Sequence, residues 1–339
     1  MQKHLKIDKN IKLKNPIVIC AWPGMGQVAY RAASFLVEKL KMEEFAHLDA
    51  KEFFWQQGVV IEENIVKLPE EPFNKFYFLK NSATKIGGSA KNLSGKFDKN
   101  DLIVFLSNAQ PDLLKAQKYI NNILSLIKRF DPKMVITFAA MPQAIDHLKD
   151  PQVWAASTDK KLIEDLKKHN LEIMRQGQIS GMNGLFLGLA KEAGIKGFCL
   201  LGEIPLYTIQ IDNPKASKAL IEALSKILEI KIDVQELIDQ SHLIEGEIDK
   251  IVDYLKTSIN MSQFGPIGEE EINQIKHVLN QQTKLPGSIK VNIEKLFIDA
   301  KKDISKASDL KKELDKWSVY KEYEDRFLDL FKKSKETSN

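Results

Sequence analysis

The sequence predicts an α/β protein: a mostly parallel sheet with helices on both faces, followed by a helical C-terminal extension. Three observations support this. Uncharged apolar runs recur at Ile17–Ala21, Leu102–Leu106, Met134–Ala139 and Gly197–Leu201, the pattern of strands buried on both faces. Helical stretches alternate with them, as in βαβ units. Past Ile232 the strand-like runs stop and apolar residues recur at helical spacing. Residues 1–235 are therefore read as the α/β domain and 236–339 as the extension.

Met1–Asn15 reads as a lead-in or edge strand. Ile17–Ala21 is stopped by Trp22-Pro23-Gly24, since proline cannot donate to a ladder and glycine can take φ > 0. If Gly24 holds the positive φ, replacing it by valine would cost about 1–3 kcal/mol. From Met25 a stripe of Val28, Ala29, Ala32, Ala33, Leu36 and Leu40 marks a helix. Glu44–Asp49 reads as a strand, then Val59–Ile61 and Ile65–Leu68 as two more with Glu62-Glu63-Asn64 at a hairpin tip. Phe76–Leu79 is another strand and Lys80–Lys99 a polar loop. A helix is expected between Pro111 and about Arg129. Ala140–Thr158, with Pro142, His147, Pro151 and Trp154, reads as an irregular excursion. Asp159–Asn170 is a helix, Leu171–Met174 a short strand and Gly184–Ala193 a small-residue helix. Gly197–Leu201 is closed by Gly202-Glu203-Ile204-Pro205. Lys215–Glu229 is a helix with Asn213 as cap and Pro214 at its first position. In the extension, helices are expected over Asp233–Leu255, Gly268–Asn280 and, as one or two long helices, Val291–Lys333, with a break at Ser262–Gly268. Their stripe of Leu296, Leu310, Leu314, Trp317, Phe327 and Leu330 needs a partner surface. Ser334–Asn339 should fray.

Composition narrows the function. Of 339 residues, 43% are hydrophobic and 28% charged, with 50 basic against 46 acidic residues and a net charge of +4. That near-balance argues against a dedicated nucleic-acid binder. No apolar run reaches membrane length and the N-terminus lacks a hydrophobic core, so a cytoplasmic location is expected, with no nucleic-acid or membrane partner. Cys20 and Cys199 lie within apolar runs and read as buried thiols.

Two glycine turns are the candidate site. Ile17–Gly26 and Gly177–Gly184 each place glycines where an apolar run gives way to a helix, a position whose free amides favour an anion. Gly24-Met25-Gly26-Gln27-Val28-Ala29 also fits G-x-G-x-x-A, with Asp49 near the distance of a ribose-binding acid, but the short pattern recurs in α/β chains as plain packing. Asn108, Gln110, Ser180, Gly181, Asn183, Glu203 and Tyr207 fall at strand ends or adjacent loops, where open α/β sheets bind ligands. With Trp22, Pro23, Gly24, Met25 and Gly26 they form the candidate pocket. The plainer reading is that these groups hydrogen-bond the loops to one another. Ser180 lacks a G-x-S-x-G context, and the histidines have no metal-ligand spacing. Neither a catalytic residue, a metal nor a cofactor is expected.

AWPGMGQVA (Ala21–Ala29), LIVFLSNAQP (Leu102–Pro111), GQISGMNGLFLGLAKEAGIKGFCLLGEIP (Gly177–Pro205) and NPKASKAL (Asn213–Leu220) together resemble the PAC2 family. Its members include eukaryotic proteasome assembly chaperones and their archaeal and bacterial relatives. The resemblance implies a phosphorylase/hydrolase-like α/β fold, self-association and a role in assembling the proteasome α ring, so partners would be a second copy and proteasome subunits. Prokaryotic members are often labelled ATP-grasp-like, yet no Lys/Glu/Asp constellation here matches a nucleotide–magnesium clamp. Archaeal relatives end in a hydrophobic-Tyr-any tail that docks into the α ring. This sequence ends Thr337-Ser338-Asn339, and Val319-Tyr320-Lys321 fits the tail pattern internally. Docking by such a tail is not expected. The expected function is an oligomeric assembly factor without catalysis; the alternative is an enzyme or sensor binding phosphate or a nucleotide at the glycine turns.

Overall fold

The computed structural model describes residues 5–7, 11–55, 58–80, 100–260, 287–316 and 319–332. The strands are β1 (Leu5–Ile7), β2 (Ile17–Ala21), β3 (Glu43–Leu48), β4 (Val60–Glu62), β5 (Ile65–Lys67), β6 (Asn74–Leu79), β7 (Leu102–Ser107), β8 (Met134–Gln143), β9 (Val153–Ser157), β10 (Glu172–Ile173) and β11 (Gly197–Pro205). The α-helices are α1 (Val28–Lys39), α2 (Ala116–Ile127), α3 (Lys160–Lys167), α4 (Gly181–Glu192), α5 (Pro214–Leu228), α6 (Gln235–Asn260), α7 (Gly287–Lys302), α8 (Ala307–Lys316) and α9 (Tyr320–Lys332).

One large sheet runs β1-β3-β6-β7-β2-β8-β11-β9-β10. Its centre, β7-β2-β8-β11, is parallel. Towards both edges it is mixed: β6 is antiparallel to β7 and to β3, and β9 is antiparallel to β11. The four uncharged runs are the four central strands, because only there is each strand covered on both faces. Alternation then sorts the side chains. Ile17, Ile19 and Ala21 join one apolar core with α1 and α5, whereas Val18, Cys20 and Trp22 join the other with α2 and α4. The same split holds for Leu102, Val104 and Leu106 against Ile103 and Phe105.

Several expectations are corrected. Residues 140–158 are not simply irregular: β8 continues through Pro142 to Gln143, and Val153–Ser157 forms β9. Ala155 alone in β9 is fully buried, so the stretch lacks the apolar signature of a central strand. β11 runs on through Gly202–Pro205, buried throughout. α4 starts at Gly181, a turn earlier than expected. The 60–67 hairpin turns on Glu63 and Asn64 alone, both at positive φ (50° and 65°), the geometry of a two-residue type I′ turn. Glu62 pairs with Ile65 and belongs to the strand.

The α5 cap is as the sequence reads: Asn213 Oδ1 accepts from the Ala216 amide at 2.9 Å, with Pro214 at the first position. In the C-terminal extension, the 291–333 stretch divides into α7, α8 and α9. Asp303 breaks it, accepting from the Ser305 amide at 3.1 Å. Phe297, Leu310, Leu314, Phe327 and Leu330 are buried in the same apolar core as α1 and α5, which supplies their partner surface. Trp317, the Ser262–Gly268 break, the Gly268–Asn280 helix, the Ser334–Asn339 tail and nearly all of the Lys80–Lys99 loop lie outside the described residues. Among the described residues no helix is long and apolar enough to cross a membrane.

Candidate functional site

The carboxyl end of β2 meets the N-terminus of α4 at one edge of the sheet. Trp22 does not floor a pocket: it is fully buried, its ring 5.3 Å from Phe105 and 5.5 Å from Phe186, centroid to centroid. Its Nε1 donates to the Tyr119 hydroxyl (3.1 Å), which donates to Asn74 Oδ1 (2.6 Å). Its backbone amide donates to Asn183 Oδ1 (3.0 Å), and Asn183 Nδ2 donates back to the Trp22 carbonyl (3.2 Å). One buried asparagine thus satisfies both backbone groups where the β2 ladder ends.

Gln110 adds a second stitch. Its Nε2 donates to the Pro23 carbonyl at 2.5 Å and its Oε1 accepts from the Met182 amide at 3.1 Å. Gly181, at φ 75°, lies so close to Gln110 that an added Cβ would sit 3.3 Å from Nε2. Gly24 is extended (φ −164°) rather than left-handed, so the constraint expected there falls on Gly26 (φ 57°). The Gly26 amide donates to the Ile209 carbonyl (2.9 Å), and its own carbonyl accepts from the Asn213 amide (2.8 Å). The geometry therefore brings Trp22, Pro23, Gly24, Met25, Gly26, Gln110, Ser180, Gly181 and Asn183 together. Three amides an anion would need are engaged: Gly26 on Ile209, Gln27 on Gly24, and Met182 on Gln110. Ser180 is the N-cap residue of α4 but its hydroxyl caps nothing.

The remaining candidates lie elsewhere. Asn108 Oδ1 accepts from the Phe73 amide at 2.9 Å, towards β6. Glu203, on β11, accepts from Trp154 Nε1 (2.9 Å) and the Gln152 amide (3.1 Å). Asp49 follows β3, with β6 and β7 between it and β2, and accepts from the Lys51 amide at 3.0 Å. A dinucleotide fold would have needed it beside β2.

Tyr207 belongs to a cluster the sequence did not signal. Its hydroxyl accepts from the His147 amide (2.8 Å) and lies 2.8 Å from His147 Nδ1, while His147 Nε2 lies 2.9 Å from Asp249 Oδ1 on α6. Beside it Lys215 donates to the Leu148 carbonyl (2.7 Å) and pairs with Glu245 (2.7 Å). His147 and Asp249 are 102 residues apart, so no local spacing could reveal them. Burial pushes the Tyr207 phenol well up from its ordinary value. Its hydroxyl serves as a hydrogen-bonding post for His147. The cavity lined by His147, Glu203, Lys215 and Glu245 is about 20 Å³, the room of one water. Among the described residues no group of three or more His, Cys, Asp or Glu could hold a metal ion.

A family model described as the PAC2 family matches residues 18–252. The chain belongs to the PAC2 family. The match spans both glycine turns, Gln110, Asn183 and much of α6, and leaves α7–α9 outside. The uncharacterised protein MJ1210 of Methanocaldococcus jannaschii is 29% identical over 266 residues, which is 78% of this chain and 93% of that one. The crystal structure of PbaB of Pyrococcus furiosus, an archaeal proteasome activator, superposes with a TM-score of 0.59 at 27% identity, covering 73% of this chain and 97% of that one. PbaA of the same organism, an archaeal homologue of proteasome-assembly chaperone, shares the fold at 23% identity and a TM-score of 0.55, over 76% of this chain and 96% of that one.

Proposed function

We propose that this PAC2-family chain is an assembly-chaperone-like binding protein that acts on proteasome subunits as a homo-oligomer in the cytoplasm, without catalysis. The observation that carries this is the PAC2-family match over residues 18–252, and the likeness to PbaB, a proteasome activator, at 27% identity over nearly all of that chain supports a proteasome partner. The use of the candidate site supports it: Asn183 is engaged with the Trp22 backbone, and Gln110 with Pro23 and Met182. On this reading the sheet is of the phosphorylase/hydrolase-like type, residues 1–235 form the binding domain, and the helices beyond serve as its brace. Docking does not go through the tail-like Val319-Tyr320-Lys321, because Val319 is buried and Tyr320 opens α9. The test is co-expression with the α and β subunits of the same organism. The expected result is a stable complex with α subunits and a changed rate of proteasome assembly on native gels. No complex, together with a melting shift of several degrees on adding ATP or phosphate, would favour the small-molecule alternative.

A further inference from the structure

A cleft of about 430 Å³ opens where β3 ends and β6 begins, away from the glycine turns. That is the size of a small-molecule site. Two features of the sequence build it. The first is register. Lys6 of β1 stands opposite His47 of β3, and His47 stands opposite Lys75 of β6. Paired side chains on adjacent strands are about 4.5–5.5 Å apart at Cβ, and like charges set opposite one another are unfavourable. Two lysines therefore flank one imidazole in a single row. The second feature is a β-bulge. The register shifts between Glu44 and Ala46, and Phe45 and Ala46 are both buried. Strict alternation would put Glu44, three residues before His47, on the other face. The bulge brings it onto the same face, where its Oε2 accepts from Lys75 Nζ at 2.8 Å. Bulges re-aim side chains in this way beside functional sites.

The cleft has two poles. The lysine–histidine row is the cationic one: Lys75 is matched by Glu44, and Lys6 has no carboxylate partner among the described residues. The other pole is acidic. Asp49 follows His47 by two residues, so alternation keeps it on the same face. It is half-buried and spends one oxygen on the Lys51 amide. Glu71 lines the same end, in a loose pair with Lys51 at 3.8 Å. Phe73 adds an apolar wall, with Lys75 Nζ 5.8 Å from its ring centroid. In all, three lysines and three carboxylates line the cleft. That balance does not suit a plain anion; it suits a ligand carrying both signs.

The distance between the poles selects the ligand. Two residues of strand separate His47 from Asp49, a rise of about 6.4–6.8 Å. A single amino acid holds its ammonium and carboxylate one residue apart. An extended dipeptide spans at most about 7 Å, and at neutral pH both of its ends are charged. We propose that this cleft binds a zwitterionic dipeptide, its carboxylate at Lys6 and His47 and its ammonium at Asp49 and Glu71. The floor is set in advance, because Asn74 beneath it is buried and accepts from the Tyr119 hydroxyl at 2.6 Å. The inference stands on observations separate from the assembly role proposed above, so its failure leaves that role untouched.

The test is calorimetric titration of the full-length protein with glycyl-leucine at millimolar concentration. The comparison ligands are N-acetyl-glycyl-leucine, glycyl-leucine amide, free leucine and inorganic phosphate. Glycyl-leucine should bind at one site per chain. Capping either end should weaken it about tenfold or more, since each cap removes a charge-assisted hydrogen bond. Free leucine, too short to reach both poles, should be weaker too. Lys6→Gln and Asp49→Asn should each weaken the dipeptide about tenfold, with melting temperature as the folding control. Lys6 is exposed, and the asparagine keeps an acceptor for the Lys51 amide. The losses should also be specific to each end: Lys6→Gln should no longer distinguish the amide from the free dipeptide, nor Asp49→Asn the N-acetyl form. Absence of glycyl-leucine binding overturns the proposal. So does N-acetyl-glycyl-leucine or phosphate binding the wild type as tightly as the dipeptide, which would mark a plain anion site. Affinity unchanged in both variants overturns it as well. If either variant fails to fold, the capped ligands on the wild type decide alone.

Discussion

Replacing Gly26 by alanine should destabilise the protein, while the same change at Gly24 should not. Gly26 sits at φ 57°, ψ 15°, a left-handed conformation that costs an L residue about 1–2 kcal/mol. A Cβ there would lie 3.1 Å from Asn213 Cβ, 3.3 Å from Val28 Cγ2 and 3.4 Å from the Ile211 carbonyl oxygen. Both sides of that contact are fixed, because Gly26 and Asn213 are hydrogen-bonded to each other. Relieving it adds about 1 kcal/mol, the low end for overpacking. Against this, alanine stiffens the unfolded chain by about 0.4–1 kcal/mol. The net loss is about 2 kcal/mol, or roughly 4–8 °C in melting temperature for a domain of this size. At Gly24 the backbone is extended and the nearest neighbour of a Cβ is Asn183 Nδ2 at 3.9 Å, so Gly24→Ala should be neutral or slightly stabilising. Gly26→Asn should fall between, since asparagine tolerates the left-handed region. Thermal unfolding of the three variants side by side is the assay. If Gly26→Ala melts within a degree or so of wild type, or below it by less than Gly24→Ala does, the reasoning fails.

Asn183→Ala removes the partner of both backbone groups of a buried Trp22 and should cost about 2–4 kcal/mol, read as a fall in the urea midpoint at unchanged slope. Tyr119→Phe keeps the ring but strands Trp22 Nε1 and Asn74 Oδ1; a loss of about 1–3 kcal/mol is expected, and a variant as stable as wild type would show that water replaces the hydroxyl. Burial pushes the Cys199 thiol up to about 12. The folded state thus keeps its proton where the unfolded chain has begun to lose it, so this stability is complete below about pH 9 and is lost as pH rises towards 12. Cys199→Ala should flatten that alkaline decline, and neither Cys20 nor Cys199 should react with a thiol reagent at pH 8 before global unfolding.

The centre of the fold was legible because its physics is local. A strand covered on both faces needs an uncharged run, and Ile17–Ala21, Leu102–Leu106, Met134–Ala139 and Gly197–Leu201 each supply one. β9 escaped because it has a single fully buried residue, and its partners Phe198–Gly202 lie far along the chain. Of the candidate site, the residues at the β2–α4 junction could be named because glycine and amide side chains at strand ends leave a mark. What they do could not, because whether an amide is free or engaged depends on segments such as Ile209–Asn213. Whether Gly24 or its neighbour takes the positive φ stayed open for the same reason: either glycine of Gly24-Met25-Gly26 satisfies the pattern, and the approach of Asn213 falls on Gly26. The His147–Tyr207–Asp249 string joins three distant stretches, none distinctive by itself.

The asparagine that closes the end of β2 also fixes when the fold can close. Asn183 lies 161 residues after Trp22, so a ribosome adding about 5–20 residues per second needs about 10–30 s between them. During that interval the nascent chain carries the most apolar strand of the sheet with its terminal amide and carbonyl unclamped and with β8 or β11 still unmade. Vectorial synthesis therefore holds this protein in a cohesive, unfinished state until α4 and then Ile209–Asn213 have left the exit tunnel. A chain stopped before residue 213 would lack Asn213, the backbone partner that locks Gly26, and would present the open turn and both unfinished cores to whatever binds nascent chains.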